Sequence, residues 1–395
     1  MSRIKYLLIA ALVLPTVLFS QNEFKPSWSG AFRLESPDKN FKLKFGGRIH
    51  YDYTWMNQDE ALANEFGDFT NGTELRRVRF YHSGTAYRNI GYKLQLEFAG
   101  GEIAYKDVFI EFKKLPVFGN VRVGQMKEPF RLEVLVSSND MTFIERTAYT
   151  EFAGDRNSGI LVHNQVLNGA LGYQLGVFRN ADAFGNDKNA KDAYNVTGRV
   201  STEFLKNEEK NSMVHLAVGF SNRNNNENEY KVSGRTAVHL APKYLSTGTL
   251  TNVDNVQLIN LEGAYYAGPL SIQTEYLMAK VNGGTELNFS SYYGQVSYFL
   301  TGESRPWNGS YAGFGGIKPN KNFGENGGGA WEIGLRFSST DLNDRVILGG
   351  KMTEWTAGVN WYLNPASRIQ LNYVLADVDG LGKASAVVTR FHIAF

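Results

Sequence analysis

FKLKFGGRIHYDYTW, residues Phe41 to Trp55, alternates without a break. Phe41, Leu43, Phe45, Gly47, Ile49, Tyr51, Tyr53 and Trp55 fall on one side of an extended chain, and Lys42, Lys44, Gly46, Arg48, His50, Asp52 and Thr54 on the other. Successive side chains of a strand point to opposite faces, so a period of two marks a strand with one apolar and one polar face. Soluble strands run to about 5–6 residues, whereas a tilted strand that crosses a bilayer needs about 9–11. A run from residue 41 to 55 that ends in three aromatics therefore reads as a membrane-spanning strand with its end at the interface.

The segment Ser385 to Phe395 repeats the pattern, with Val387, Thr389, Phe391, Ile393 and Phe395 on one face and Val388, Arg390, His392 and Ala394 on the other. A lipid-facing row beside a lumen-facing row is how the closing strand of an outer-membrane β-barrel reads. Clear repeats begin at Tyr92, Leu171, Val214, Trp331, Trp355 and Ile369, and weaker ones lie near 75–86, 105–113, 119–125, 157–165, 194–204, 231–241, 255–267, 270–281 and 290–301. These make seventeen segments, and a single-chain bacterial barrel takes an even number. The two sides fall out of phase within 221–255, so sixteen strands are expected, with eighteen as the alternative. The predicted fold is all-β: an antiparallel transmembrane β-barrel over residues 41–395, with short periplasmic turns and long external loops. Short turns are expected at Leu167-Asn168-Gly169, Ala267-Gly268-Pro269 and Asn364-Pro365-Ala366, and long loops at 56–73, 125–156, 181–193, 221–230 and 303–328.

Arg3 and Lys5 precede an apolar stretch from Tyr6 to Phe19 that contains Pro15 and is shorter than the roughly 20 residues of a spanning helix. Residues 1–20 thus read as a secretory leader cut near Ser20, and 21–40 as an N-terminal periplasmic segment. No later stretch is long and apolar enough for a transmembrane helix, which leaves an exported soluble protein or a barrel. The absence of cysteine excludes disulfides, thiolate metal sites and a cysteine nucleophile. The 41 basic and 39 acidic residues become 39 of each once Arg3 and Lys5 leave with the leader, and a neutral chain excludes a generally basic nucleic-acid binder. The 26 Phe and 21 Tyr, in a chain of mean hydropathy −0.31, suit a lipid-facing band and aromatic girdles around a polar interior.

Several stretches carry a family resemblance: Glu74-Leu75-Arg76-Arg77-Val78-Arg79, Gly91-Tyr92-Lys93-Leu94, Val123-Gly124-Gln125-Met126-Lys127-Glu128-Pro129-Phe130, and Met141-Thr142-Phe143-Ile144-Glu145-Arg146. Tyr298-Phe299-Leu300-Thr301-Gly302-Glu303, Asp341-Leu342-Asn343-Asp344 and Asn360-Trp361-Tyr362-Leu363-Asn364-Pro365 continue it. Together they resemble the phosphate-selective porin O and P family of trimeric outer-membrane channels, from about residue 41 to Phe395. The resemblance implies a passive channel, one pore per subunit of a homotrimer, basic side chains along the lumen, and a loop folded into the pore. Gln125 to Arg156 is the candidate constriction loop.

Arg77 and Arg79 share a strand face, the spacing that a lumen ladder of arginines requires. That spacing equally suits a bracing salt-bridge network, and the family resemblance favours anion contact. Lys127, Arg131 and Arg146 fall in the proposed loop, where Glu128, Glu133, Asp140 and Glu145 could pair with them. Strand parity adds Arg48, Lys93, Arg122 and Arg336 to the lumen, against Asp52, Glu97, Asp107, Glu111 and Glu332. No catalytic or metal site is expected: nucleophile elbow, phosphate loop and zinc-helix motifs are missing, and the six histidines lack ligand spacing. No cofactor is implied.

The leading expectation is a bacterial outer-membrane porin passing small anions such as phosphate or polyphosphate, embedded in lipid, and engaging the barrel assembly machinery through the strand that ends at Phe395. A plugged structural or adhesive barrel and a soluble carbohydrate-binding β-sandwich are the alternatives.

Overall fold

The computed structural model describes residues 24–28, 30–69, 71–187, 193–207, 209–224, 227–324 and 326–395; the expected leader and its cleavage point lie outside them. A hairpin of β1 (Lys25–Trp28) and β2 (Phe32–Glu35) precedes the barrel. The first half of the barrel is β3 (Lys42–Gln58), β4 (Gly72–Ala86), β5 (Ile90–Glu97), β6 (Ala104–Leu115), β7 (Gly119–Lys127), β8 (Arg156–Val166), β9 (Leu171–Arg179), β10 (Asn195–Asn207) and β11 (Ser212–Arg223). A two-residue ribbon, β12 (Ser233–Gly234) with β13 (Leu245–Ser246), lies apart from the wall. The second half is β14 (Val253–Ala267), β15 (Leu270–Gly283), β16 (Leu287–Phe299), β17 (Ala330–Asp344), β18 (Ile347–Tyr362), β19 (Ser367–Val378) and β20 (Gly382–Ala394).

Each barrel strand pairs antiparallel with its neighbour, and β20 returns to β3 from Ala384 opposite Gln58 to Ala394 opposite Arg48, closing sixteen strands. Where β20 runs out, β2 takes its place against Lys42 to Phe45 of β3. Phe395 exchanges backbone hydrogen bonds with Gly47, and a Cβ at Gly47 would sit 2.7 Å from the Phe395 ring. Glycine is what lets the terminal ring cross the strand there.

Burial runs opposite to that of a soluble sheet. Ile49, Tyr51, Tyr53 and Trp55 are exposed, whereas Arg48, His50, Asp52 and Thr54 are buried. On β20, Phe391 is 50% exposed and Arg390 1%. A sandwich hides its apolar face between sheets; here that face looks outward, as lipid requires, and the soluble alternative falls away.

Among the described residues, three segments enter the lumen, from 128–155, 227–252 and 300–324. The second corrects one expectation. Residues 231–241 form no barrel strand; Ala237, Val238 and Ala241 are buried against Ile144, Val374, Ala386 and Val388, and the Ala237 N–H donates to Glu354 at 2.7 Å. Apolar residues covering the inner wall imitate the apolar row of a strand, and removing this one leaves the even number. The third corrects another. The segment 303–328 is not an external loop: it leaves from the side of the short turns at 268–269 and 363–366, where β3 begins and β20 ends. That is the periplasmic side of such a barrel. Buried Arg305 draws the segment inward, pairing with Glu332 at 2.5 Å and donating to the Asp140 carbonyl at 2.6 Å.

Candidate functional site: an anion path along one wall

The loop from Glu128 to Asp155 is fastened across the lumen by side chains of the far wall. Glu275 accepts from the N–H groups of Leu132 and Glu133 at 2.8 and 2.7 Å. Arg368, Arg390 and Arg336 donate to the carbonyls of Met141, Ile144 and Glu145 at 2.9, 2.7 and 3.0 Å. The Phe143 ring fills the space left by Gly334 and Gly358, where a Cβ would approach it to 3.1 and 3.2 Å. Glu145 closes the tie to the opposite wall, taking Arg76 at 2.9 Å, Arg77 at 3.2 Å and Arg390 at 2.7 Å. Burial pushes the Glu145 carboxyl up, but Arg76, Arg77 and Arg390 outweigh it and hold the group well below its ordinary range.

Three adjoining chambers form a path along β3–β8. The outer one, about 430 Å³, is bordered by Arg76, Arg77, Lys106, Arg235, His239 and Lys243. It shares Arg79, Arg146 and Asp155 with a middle chamber of about 240 Å³. The middle one shares Lys93 and Phe109 with an inner chamber of about 450 Å³, rimmed by Lys42, Lys44, Lys113 and Arg33. The middle chamber is the smallest of the three, and it is lined by seven basic side chains (Arg48, Arg79, Lys93, Arg122, Lys127, Arg146, Arg156) and two carboxylates, Asp107 and Asp155.

Six of the nine basic residues singled out from the sequence meet in that chamber: Arg48, Arg79, Lys93, Arg122, Lys127 and Arg146, while Arg336 is one of the residues that fasten the loop. Arg77 borders the outer chamber and is tied to Glu145. Arg131 borders none of the three; it donates to the carbonyls of Thr150 and Ala153 at 2.7 and 2.8 Å and staples the loop to itself.

The partners of the six fall into two kinds. Arg79 pairs with Glu97, Lys93 with Asp107 at 2.5 Å, and Arg122 with Glu111 at 2.6 Å. Lys127 and Arg146 instead bind neutral carbonyls at the end of the short helix Leu132–Leu135. The Lys127 ammonium donates to Val134, Leu135 and Val136 at 2.5, 3.2 and 3.2 Å, and Arg146 to Glu133, Val134 and Val136 at 2.8, 3.3 and 2.9 Å. Arg48 donates to the Ser138 hydroxyl at 2.6 Å. A carboxylate cancels a cation's charge, whereas a dipole orients it and leaves the unit charge in place. Counting Glu97 and Glu111 behind Arg79 and Arg122, cations still outnumber carboxylates seven to four around the middle chamber.

Sequence parity missed Arg76 and Lys106 because of two β-bulges. The register of β3 and β4 slips between His50–Arg77 and Tyr51–Leu75, and that of β5 and β6 between Leu94–Val108 and Leu96–Tyr105. A bulge sets two residues against one, so Arg76 joins Arg77 at Glu145, and Lys106 and Asp107 both border the path. Adjacent like charges in the Arg76-Arg77 pair were the available signal. Arg156, paired with Asp107 at 2.7 Å and Asp155 at 3.0 Å, closed the predicted loop but was not singled out.

Residues 43–394 match the family model described as phosphate-selective porin O and P. The chain belongs to that family. This porin is 25% identical to Porin O of Pseudomonas aeruginosa over 93% of its own length and 91% of the relative's. It is 28% identical to an uncharacterised protein of Caulobacter vibrioides, covering 90% of this chain and 72% of that one. Its fold resembles the anion-selective porin from Comamonas acidovorans, with a TM-score of 0.58 and 15% identity over 90% of this chain and 100% of that one. The outer membrane channel DcaP of Acinetobacter baumannii gives 0.56 at 10% identity, covering 91% and 99%. This porin is a passive, anion-conducting channel of the bacterial outer membrane.

Proposed function

We propose that this porin passes phosphate and similar oxyanions through the three chambers, and that the middle chamber is the selective step. The excess of cations there carries the reading. Low-dielectric walls focus the field of Arg48, Lys127 and Arg146, whose hydrogen-bond acceptors are neutral although Asp155 lies near the last two, and a guanidinium offers an oxyanion paired donors. Lys127 has its three N–H groups turned to carbonyls, so its part is the field and the shape of the loop. Arg79, Lys93, Arg122 and Arg156 share carboxylates and act as weaker stations. Several weak sites in series let an ion both enter and leave.

The same proposal takes residues 1–20 as a leader removed near Ser20, three copies of the chain as the working unit, and the Phe395 strand as the contact for the assembly machinery. The test is the reversal potential of the purified protein in a planar bilayer under a salt gradient, with and without added phosphate. Anion preference with phosphate block is the expected result; cation preference would overturn the phosphate reading. No conductance would favour a plugged barrel.

A further inference from the structure

The middle chamber has one wall from the segment that enters on the periplasmic side. Tyr311 and Ala312 face it, carried by a turn in which the Asn308 N–H donates to Gly313 O and the Gly313 N–H to Gly309 O, both at 2.9 Å. Gly313 has φ +66°, and a Cβ there would stand 2.7 Å from Leu132 and 2.8 Å from Val136, so glycine lets this turn press against the constriction loop.

The Arg122 guanidinium lies between two rings, 4.0 Å from the Phe109 centroid and 4.9 Å from that of Tyr311. Its Nε and Nη2 donate to Glu111 at 3.1 and 2.6 Å, and its Nη1 donates to the Tyr311 hydroxyl at 2.5 Å. The Tyr311 ring also stacks on His163 at 4.9 Å. The Tyr311 oxygen thus accepts from a cation, while its own hydrogen meets no acceptor among the described residues. A hydroxyl that accepts from a cation is polarised into a better donor. Burial pushes the phenol upward in pKa against the pull of Arg122, so it keeps that hydrogen.

We propose that Tyr311 donates its hydroxyl hydrogen to a tetrahedral oxyanion held in the middle chamber, making the segment 300–324 a second selectivity element beside the constriction loop. This rests on the anion path proposed above. The cations fix the sign of the permeant ion, and the neutral donor ranks anions by how well they accept a hydrogen bond, phosphate or a phosphate monoester ahead of chloride.

The experiment compares the full-length protein with Tyr311→Phe in planar bilayers, measuring chloride conductance, the anion-to-cation ratio and the phosphate concentration that halves the chloride current. Phenylalanine keeps the ring between His163 and Arg122 and removes the hydroxyl, together with the hydrogen bond it accepts from Arg122, whose pairing with Glu111 remains. The expected result is a half-blocking concentration raised about three- to tenfold, the weight of one hydrogen bond, with chloride conductance and charge selectivity close to wild type. An unchanged half-blocking concentration overturns the role of Tyr311. A parallel shift of chloride conductance overturns it too, because that marks a change of pore shape. A wild-type channel that phosphate does not block overturns the underlying path, a result seen before any variant is made.

Discussion

Arg146 and Arg390 lie in the same lumen and donate to carbonyls of the same loop, Arg146 from within it and Arg390 from the wall. Arg146 faces the open path along β3–β8 and is held by three backbone carbonyls. Arg390, on the wall of β14–β20, is 1% exposed and takes Asp52 at 2.6 Å, Glu145 at 2.7 Å and the Ile144 carbonyl at 2.7 Å. Arg305 and Arg336 on that side are likewise spent on Glu332 and on the Glu145 carbonyl. One wall uses its cations to hold loops and the other to present charge. Residue type does not separate the two tasks; exposure does, since Arg79, Lys93, Arg122, Lys127, Arg146 and Arg156 stay half-buried along the path, beside a buried Arg48, whereas Arg305, Arg336, Arg368 and Arg390 are buried.

The sharpest way to break this division is Glu145→Ala, which leaves Arg76, Arg77 and Arg390 without their shared carboxylate. Removing one side of a buried ion pair costs about 3–5 kcal/mol. The variant should lose the gel-mobility resistance of the folded barrel at lower denaturant or temperature, and its conductance should become larger and noisier as the loop loosens. A stable, quiet pore would show that the plugged wall does not depend on this tie.

A smaller effect is expected for Arg146→Gln, where the loop faces the open path. The anion-to-cation permeability ratio should fall severalfold while barrel stability changes less than in the Glu145 variant. An unchanged ratio would move the selective charge elsewhere along the path.

Acid should loosen the Glu145 tie later than ordinary carboxylates suggest. Burial raises Glu145 and Asp155, but the guanidiniums of Arg76, Arg77 and Arg390 around the first, and those of Arg146 and Arg156 with the Lys127 ammonium around the second, hold both below the usual range. A depressed carboxylate contributes stability above its unfolded value of about 4, and loses it as pH falls through the lower folded value. Burial holds Glu133 and Asp140 of the same loop above the usual range, so they protonate first. Reversal potential should shift as pH falls from 7 toward about 4, whereas the gel mobility that rests on the Glu145 tie should give way only in stronger acid, and its loss near pH 6 would contradict the pairing. Smallest of all, Lys351→Ala removes an exposed pair with Asp341 at 3.7 Å and should shift stability by less than about 0.5 kcal/mol, with conductance unaltered.

The strands were legible because lipid on one side and a polar lumen on the other impose a two-residue period that survives in FKLKFGGRIHYDYTW and in the Phe395 strand. Bulges defeat that period, which is why Arg76 and Lys106 escaped. Residues 231–241 misled because a segment packed on the inner wall also needs apolar side chains, Ala237 and Val238 among them. The side from which 303–328 departs could not be read from its glycine content, since side follows from counting strands correctly.

Sequence by itself determined that this chain is a barrel of long, outward-apolar strands and that Arg48, Lys93 and Lys127 turn inward. Alternation is a local property, set by the pleat and by the two solvents. Only the tertiary structure decided which inward cations are neutralised: Arg77 meets Glu145 across 68 positions of sequence, and Arg390 meets Asp52 across 338. Charge compensation depends on distances of a few ångströms between remote segments, and no local period encodes them.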